Sequence, residues 1–328
     1  MDVFQNNTMK FIFTILILLP TLLIIGKTSA QNSAPLSGVS AISESDVRNS
    51  AIAFVNTTSS PGLEGATINV DSAQRESDQW RSSLGFTAEI TLKDHIFNAY
   101  WGLGLVGGSL KDKIQTAADD GRAVELDITR NILSVRGSFG LVFPINQNFK
   151  LRPVLTFAVS DMETESIVDA LFDNNNNLTV QTLHTSAQIA STTGSIDALY
   201  WSWFDEYKLE LSAHLNVIYN DSFSDDNPIL DTHAWNQTAQ LKSRVSGPTN
   251  LTTSARPWRW LVYANHTNFI THDKTSLGYT GLFDLGAGME WQLNVKPLDW
   301  FGWQYIGISA GIITSRNVDG FNVGITAR

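Results

Sequence analysis

The 328-residue chain contains no cysteine. It therefore carries no disulfide framework, and no lipid-anchoring thiol follows its leader. Charge is scarce as well, at 16 % of residues, which is low for an acidic soluble protein. The excess of 32 acidic over 22 basic side chains leaves a net charge of −10 and argues against nucleic acid as a partner. Beyond residue 30 no apolar run is long enough for a membrane helix. Helical spanning is thereby excluded, and a closed β-barrel remains the available way across a bilayer. There is no glycine-rich phosphate motif. The six histidines (His95, His184, His214, His233, His266 and His272) show no metal-ligand spacing with supporting carboxylates. No metal and no cofactor are expected, and the acidic stretch holding Asp221, Asp225 and Asp226 reads as a solvated loop.

What is present begins with an export signal over residues 1–30. Lys10 supplies the positive charge, Phe11 to Gly26 the apolar core, and Thr28-Ser29-Ala30 a small-residue cleavage site. Cleavage there would leave Gln31 as the mature N-terminus. Residues 31–82 form a polar segment in which Ser43 could cap a short helix through Val47, Ala51 and Phe54, before a first strand.

From about Gly85 to Ile325 the sequence alternates apolar with polar or tiny residues. Lys208-Leu209-Glu210-Leu211-Ser212-Ala213-His214-Leu215-Asn216-Val217 is the clearest copy. Side chains of a strand point to opposite faces with period two, so this segment has one apolar and one wet face. The same pattern marks Ser83–Leu92, Asn98–Gly107, Ala123–Thr129, Leu133–Phe143, Leu151–Val159, Tyr200–Phe204, Trp235–Val245, Trp258–Asn265, Gly281–Leu293, Trp300–Ile313 and Gly320–Ile325. Leu178–Ile196 is Thr/Ser-rich and reads as strand extending beyond a membrane; Asp173–Asn177 and Ser222–Asp231 read as loops. An exported chain with about a dozen such strands is predicted to be all-β, an antiparallel transmembrane barrel over residues 83–328 in a bacterial outer membrane. Ten tryptophans support this, several at strand ends where interfacial aromatic girdles sit.

The closing strands carry a resemblance. Phe283-Asp284-Leu285-Gly286-Ala287-Gly288-Met289-Glu290-Trp291, Ile306-Gly307-Ile308-Ser309-Ala310-Gly311 and Asp319-Gly320-Phe321-Asn322-Val323-Gly324-Ile325 resemble the last hairpins of autotransporter translocator barrels. The last segment also resembles the insertion signal read by the barrel assembly machinery, with Gly320, Val323 and Ile325 at its defining positions. With only the short polar segment 31–82 ahead of it, the chain is most similar to solitary autotransporter barrels that lack a passenger. The resemblance implies twelve strands, a short N-terminal helix in the lumen, and no known reaction. The chain ends Thr326-Ala327-Arg328, so insertion is expected to rely on an internal signal rather than a terminal aromatic residue.

With the apolar residues facing outward, the lumen is expected to be lined by Glu89, Glu125, Asp127, Arg136, Arg152, Lys208, Glu210, His214, Arg259, Asp284 and Glu290. Charges of both signs either pair and narrow a pore or segregate and select ions. Ser212, His214 and Asn216 share one face and are the ingredients of a lipid hydrolase. That face opposes the lipid-facing one, so the three are expected to be polar lining, and no catalytic residue is assigned. The function expected from sequence is a non-enzymatic outer-membrane barrel, either a surface and structural protein or a restricted pore. Its expected neighbours are outer-membrane lipids, lipopolysaccharide and the assembly machinery, with the outer loops open to an extracellular ligand. A porin-like channel is the alternative, and a lipid hydrolase the weaker one.

Overall fold

The computed structural model describes residues 63–327 apart from 73–74, 94, 118–122, 173–177, 226–232, 272–277 and 294–303. The export signal, the helix expected after Ser43 and the loop tip Asp173–Asn177 lie outside the described residues. Among the described residues there are twelve strands: β1 (Leu63–Ser72), β2 (Arg75–Ile90), β3 (Asn98–Ala117), β4 (Ala123–Asn146), β5 (Phe149–Phe172), β6 (Leu178–Phe204), β7 (Tyr207–Asp225), β8 (His233–Thr253), β9 (Arg256–Phe269), β10 (Gly281–Gln292), β11 (Tyr305–Ser315) and β12 (Val318–Ala327). Each pairs antiparallel with its neighbours in sequence, and β1 pairs with β12 from Leu63↔Ile325 to Val70↔Val318. The ring is thereby closed and has no free edge. Leu63 and Ala327 lie at the same rim, called here the terminal rim, which faces the periplasm in bacterial barrels.

The outward face explains why the chain folds this way. Leu84, Leu105, Val135 and Val159 occupy one continuous cross-strand row on β2 to β5, and all four are exposed. Leu103, Phe139, Leu141 and Phe157 continue the same apolar surface toward the terminal rim, and Phe283, Ile308, Ile312 and Val323 carry it around the far side. Exposed apolar side chains in contiguous rows are costly in water and favourable in lipid, so the fold is a transmembrane barrel.

The band ends sharply. Past Ser109 on β3, Leu133 on β4 and Val159 on β5, the outward positions include Lys111, Lys113, Asn131, Asp161, Glu163 and Glu165, all exposed. The strands are long enough to carry this wall well past a bilayer: β4 and β5 have 24 residues and β6 has 27, against roughly 9–11 for a span. In this extension the alternation inverts. The outside meets water, and Leu110, Ile132, Met162, Ala187 and Ile189 pack together on the inside. On the opposite wall Ala66, Ile68, Val70, Phe269, Leu282, Ile313 and Val318 form a second internal apolar cluster.

Several boundaries differ from the sequence expectation. The boundary at Ser83 falls inside β2, and β1, within the segment 31–82 where a first strand is expected, is already part of the closed ring. Ala123–Thr129 and Leu133–Phe143 are two parts of β4, and Leu178–Ile196 joins Tyr200–Phe204 in β6. Ser222 to Asp225 belongs to β7 rather than to a loop.

Candidate functional site: the charged lumen

The register of β4 runs without a break against β3 from Asn98↔Val142 to Ala117↔Ala123, so its faces can be followed along its length. Arg136, Ser134, Ile132, Arg130 and Ile128 share the inner face. Asp127 shares the face of the exposed Leu133 and Val135 and is an outer-wall residue, which corrects its assignment to the lumen. The physical reason is the inversion described above: beyond the lipid band an apolar residue belongs inside. Glu125 pairs with Gln115 and Asp169 in the same extension, where its side chain is not described.

The other predicted lumen residues stand in the half of the lumen nearer the terminal rim, apart from Arg136, which lies deeper, and most are joined into three linked groups. In the first, Lys150 Nζ sits 2.9 Å from both Glu89 carboxylate oxygens, and Asn98 donates to Glu89 Oε1 at 2.8 Å. In the second, Arg152 reaches Asp197 Oδ2 through Nε and Nη2, each at 2.8 Å, while its guanidinium lies 4.3 Å from the Tyr100 ring centre. His214 Nδ1 meets the other oxygen of Asp197 at 2.8 Å, and Nε2 lies 3.1 Å from Ser212 Oγ. In the third, Glu210 is held by Lys208 Nζ at 2.9 Å on Oε1 and by Arg244 Nε and Nη2 at 2.9 Å on Oε2. Arg259 donates to the carbonyl oxygens of Glu206 (2.7 Å) and Ser246 (3.0 Å), and its Nε is 4.0 Å from the fully buried Glu290. Asp284 accepts from Asn265 at 3.0 Å.

Two cavities lie between these groups. The larger, about 600 Å³, is lined by Glu89, Lys150, Glu210, Ser212, Lys242 and Arg244 among others. The smaller, about 200 Å³, lies deeper and is bounded by Arg136, Arg152, Asp197, His214 and Lys242. Phe269 and Leu282 of one internal apolar cluster border the smaller cavity directly, and the buried pair Arg130–Asp112, 3.0 Å apart, lies farther from the terminal rim, beyond Ile132 and Leu110 of the other cluster.

Asp197, Lys150, Lys242 and Arg244 were not singled out from the sequence. Lys242 and Arg244 sit in phase on β8, so the alternation of Trp235–Val245 held that signal. Asp197 follows the Thr/Ser-rich stretch Leu178–Ile196 and precedes Tyr200–Phe204, outside any alternating segment, and only the register places it opposite His214. Of the proposed insertion signal, Val323 and Ile325 face outward and are exposed, while Gly320 faces inward on β12, close against the backbone of Thr67 on β1.

No family model matches the sequence, and no curated protein sequence matches it. Among solved structures, the chain is similar to the translocator domain of the autotransporter NalP from Neisseria meningitidis, at 10 % identity and a TM-score of 0.49 over 84 % of this chain and 92 % of that one. It is also similar to the β domain of the Bordetella autotransporter BrkA, at 11 % identity and a TM-score of 0.44 over 80 % and 97 %. The transport unit of the autotransporter AIDA-I from Escherichia coli aligns at 12 % identity and a TM-score of 0.42 over 86 % and 99 %.

Proposed function

We propose that the chain is a bacterial outer-membrane barrel of restricted permeability. Exported by its leader and inserted by the barrel assembly machinery, it sits with its apolar band in outer-membrane lipid and lipopolysaccharide. The observation that carries this reading is the pairing of the lumen charges. Glu89, Asp197 and Glu210 are each tied to a lysine or arginine within 2.9 Å, so the two signs cancel locally instead of forming the opposed rows of an ion-selective pore. The internal apolar clusters farther from the terminal rim also support a restricted path. The extension of β4 to β7 past the lipid band supports a role for the outer wall in contacting an extracellular ligand.

The test is single-channel recording of the refolded mature chain in a planar bilayer under a salt gradient. Small or absent steps from verifiably folded protein support the restricted barrel, and Glu210→Gln should raise the conductance by freeing Arg244. Large, steady, charge-selective steps from the unaltered chain would instead make it an open channel.

A further inference from the structure

Three side chains on two adjacent strands stand in one hydrogen-bonded line inside the lumen. Asp197 of β6 and His214 of β7 are direct partners in the register, with Oδ1 and Nδ1 2.8 Å apart. Two residues earlier on β7, and on the same face, Ser212 Oγ lies 3.1 Å from Nε2. A carboxylate only accepts, so Nδ1 carries the hydrogen. In a neutral ring Nε2 is then bare and accepts from the Ser212 hydroxyl. This is the tautomer and the order in which a carboxylate-oriented imidazole activates a serine. Asn216, the third member suggested by sequence, instead donates to Thr238 at 3.0 Å.

Two further features separate this line from passive polar lining. Arg152 holds the second oxygen of Asp197 through two nitrogens, and Asp197 is only 6 % exposed, so the carboxylate is fixed in orientation. Ser212 also borders the 600 Å³ cavity, across from its strand partner Lys242. Lys242 makes no ion pair among the described residues, which leaves an ammonium beside the serine free to meet a developing negative charge.

We propose that Ser212, His214 and Asp197 form a hydrolytic site for short-chain, water-soluble carboxylic esters that enter the lumen from the terminal rim. The cavity has the volume of a small-molecule site. Bilayer lipids lie on the other face of β7, which excludes them as substrates. Ser212 Oγ forms a bond to the ester carbonyl carbon as its proton passes to His214 Nε2. The carbonyl electron pair moves onto oxygen, facing Lys242. Collapse breaks the bond to the alkoxy group, which takes the proton from Nε2 and leaves as the alcohol. Water then repeats the sequence on the acyl-serine, releasing the carboxylic acid and restoring Ser212. Asp197 acts through His214 and is a positioning residue.

The full chain, folded in detergent and checked by heat-modifiable gel mobility, is assayed with 4-nitrophenyl butyrate. In parallel it is treated with a fluorophosphonate probe, and the modified residue is mapped by mass spectrometry. The expected result is a single label on Ser212 and ester turnover that falls at least about 100-fold in Ser212→Ala and His214→Ala. Asp197→Asn should lower kcat with KM unchanged, a split that a purely structural role would not produce. Ester turnover that persists in folded Ser212→Ala, or a folded unaltered chain in which the probe leaves Ser212 unmodified, would overturn the proposal. Neither result depends on whether the barrel conducts ions.

Discussion

Lys150 of β5 and Glu89 of β2 meet inside the barrel, Nζ 2.9 Å from both carboxylate oxygens, although β3 and β4 lie between their strands. The pair is a chord across the curvature of the wall and not a ladder contact. Both side chains keep about a quarter of their surface exposed (26 % and 30 %), so water screens the attraction. Its contribution to stability is about 0–1 kcal/mol, and its larger effect is to occupy lumen. Glu89→Lys should scarcely move the thermal midpoint but should raise single-channel conductance. Adding Lys150→Glu should bring the conductance back toward that of the unaltered chain. Unchanged conductance in the single variant would remove the chord from the permeability barrier.

The Arg130–Asp112 pair answers to different physics. It is 3.0 Å long with both side chains at or below 1 % exposure, and the Ser77 hydroxyl donates to the same carboxylate. Buried charges are costly when one partner goes and replaceable when both do. Arg130→Met should therefore lower unfolding free energy in a urea titration by about 3–5 kcal/mol, while Arg130→Met with Asp112→Leu should recover most of that loss. Equal losses in the single and double variants would mean that the pair contributes nothing as a pair.

These two pairs mark what the sequence could and could not disclose. Lys208 to Val217 was legible because its apolar side faces lipid and its polar side faces the lumen, so pattern and environment agree. Asp127 was misread because the same strand leaves the bilayer, after which the apolar side, here Ile128, must turn inward. The barrel's start was placed too late for the same reason: Ala66, Ile68 and Val70 of β1 are internal, and the outward Thr67, Asn69 and Asp71 are polar. The lumen charges could be named from parity alone, but their partners needed register. Asp197 reaches His214, and Lys150 reaches Glu89 from 61 residues away, through pairings that no local pattern encodes.

Tyr263 defines a second test of packing. Its cross-strand partner is Gly286, whose partner is Gly311, whose partner is Asn322. The ring lies over both glycines, and its hydroxyl donates to Asn322 at 2.8 Å, so one side chain ties β9 to β12. A methyl group at either glycine would strike the Tyr263 hydroxyl. Gly311→Ala should cost about 1–3 kcal/mol of unfolding free energy. In a double-mutant cycle with Tyr263→Ala the combined loss should be smaller than the sum, since the nearest obstacle is then gone and only the Leu285 carbonyl oxygen and Asp284 still crowd the site. Strict additivity would refute the close approach.

The lipid band predicts how depth changes the effect of one substitution on a single strand. Phe139 and Asn131 share the outward face of β4, and both are exposed, but only Phe139 lies among apolar neighbours, its ring 5.8 Å from Phe157. In refolding titrations into lipid vesicles, Phe139→Arg should destabilise by about 2–4 kcal/mol, as an arginine near the bilayer centre does. Asn131→Arg should stay within roughly 0.5 kcal/mol, as a surface change does. Similar values at the two positions would contradict a band edge between them.

The turn joining β8 to β9 offers a stabilising change. Thr253 pairs with Arg256, leaving Ser254 and Ala255 as the two central residues, with φ of 54° and 58°. Two successive left-handed residues match the twist of a tight hairpin, which is why such turns favour Asn-Gly. Here a Cβ is carried at both positions, and in the left-handed region it crowds the following carbonyl oxygen at a cost of roughly 1–2 kcal/mol per residue. Ala255→Gly removes that crowding and leaves the ladder bonds intact, although glycine also gives the unfolded chain more freedom, which offsets part of the gain. The net expectation is a rise of about 0.5–1 kcal/mol in urea-measured stability. Ala255→Val should act in the opposite direction, because a β-branched side chain tolerates positive φ least. A gain from Val, or a loss from Gly, would show that the turn does not hold the left-handed geometry in solution.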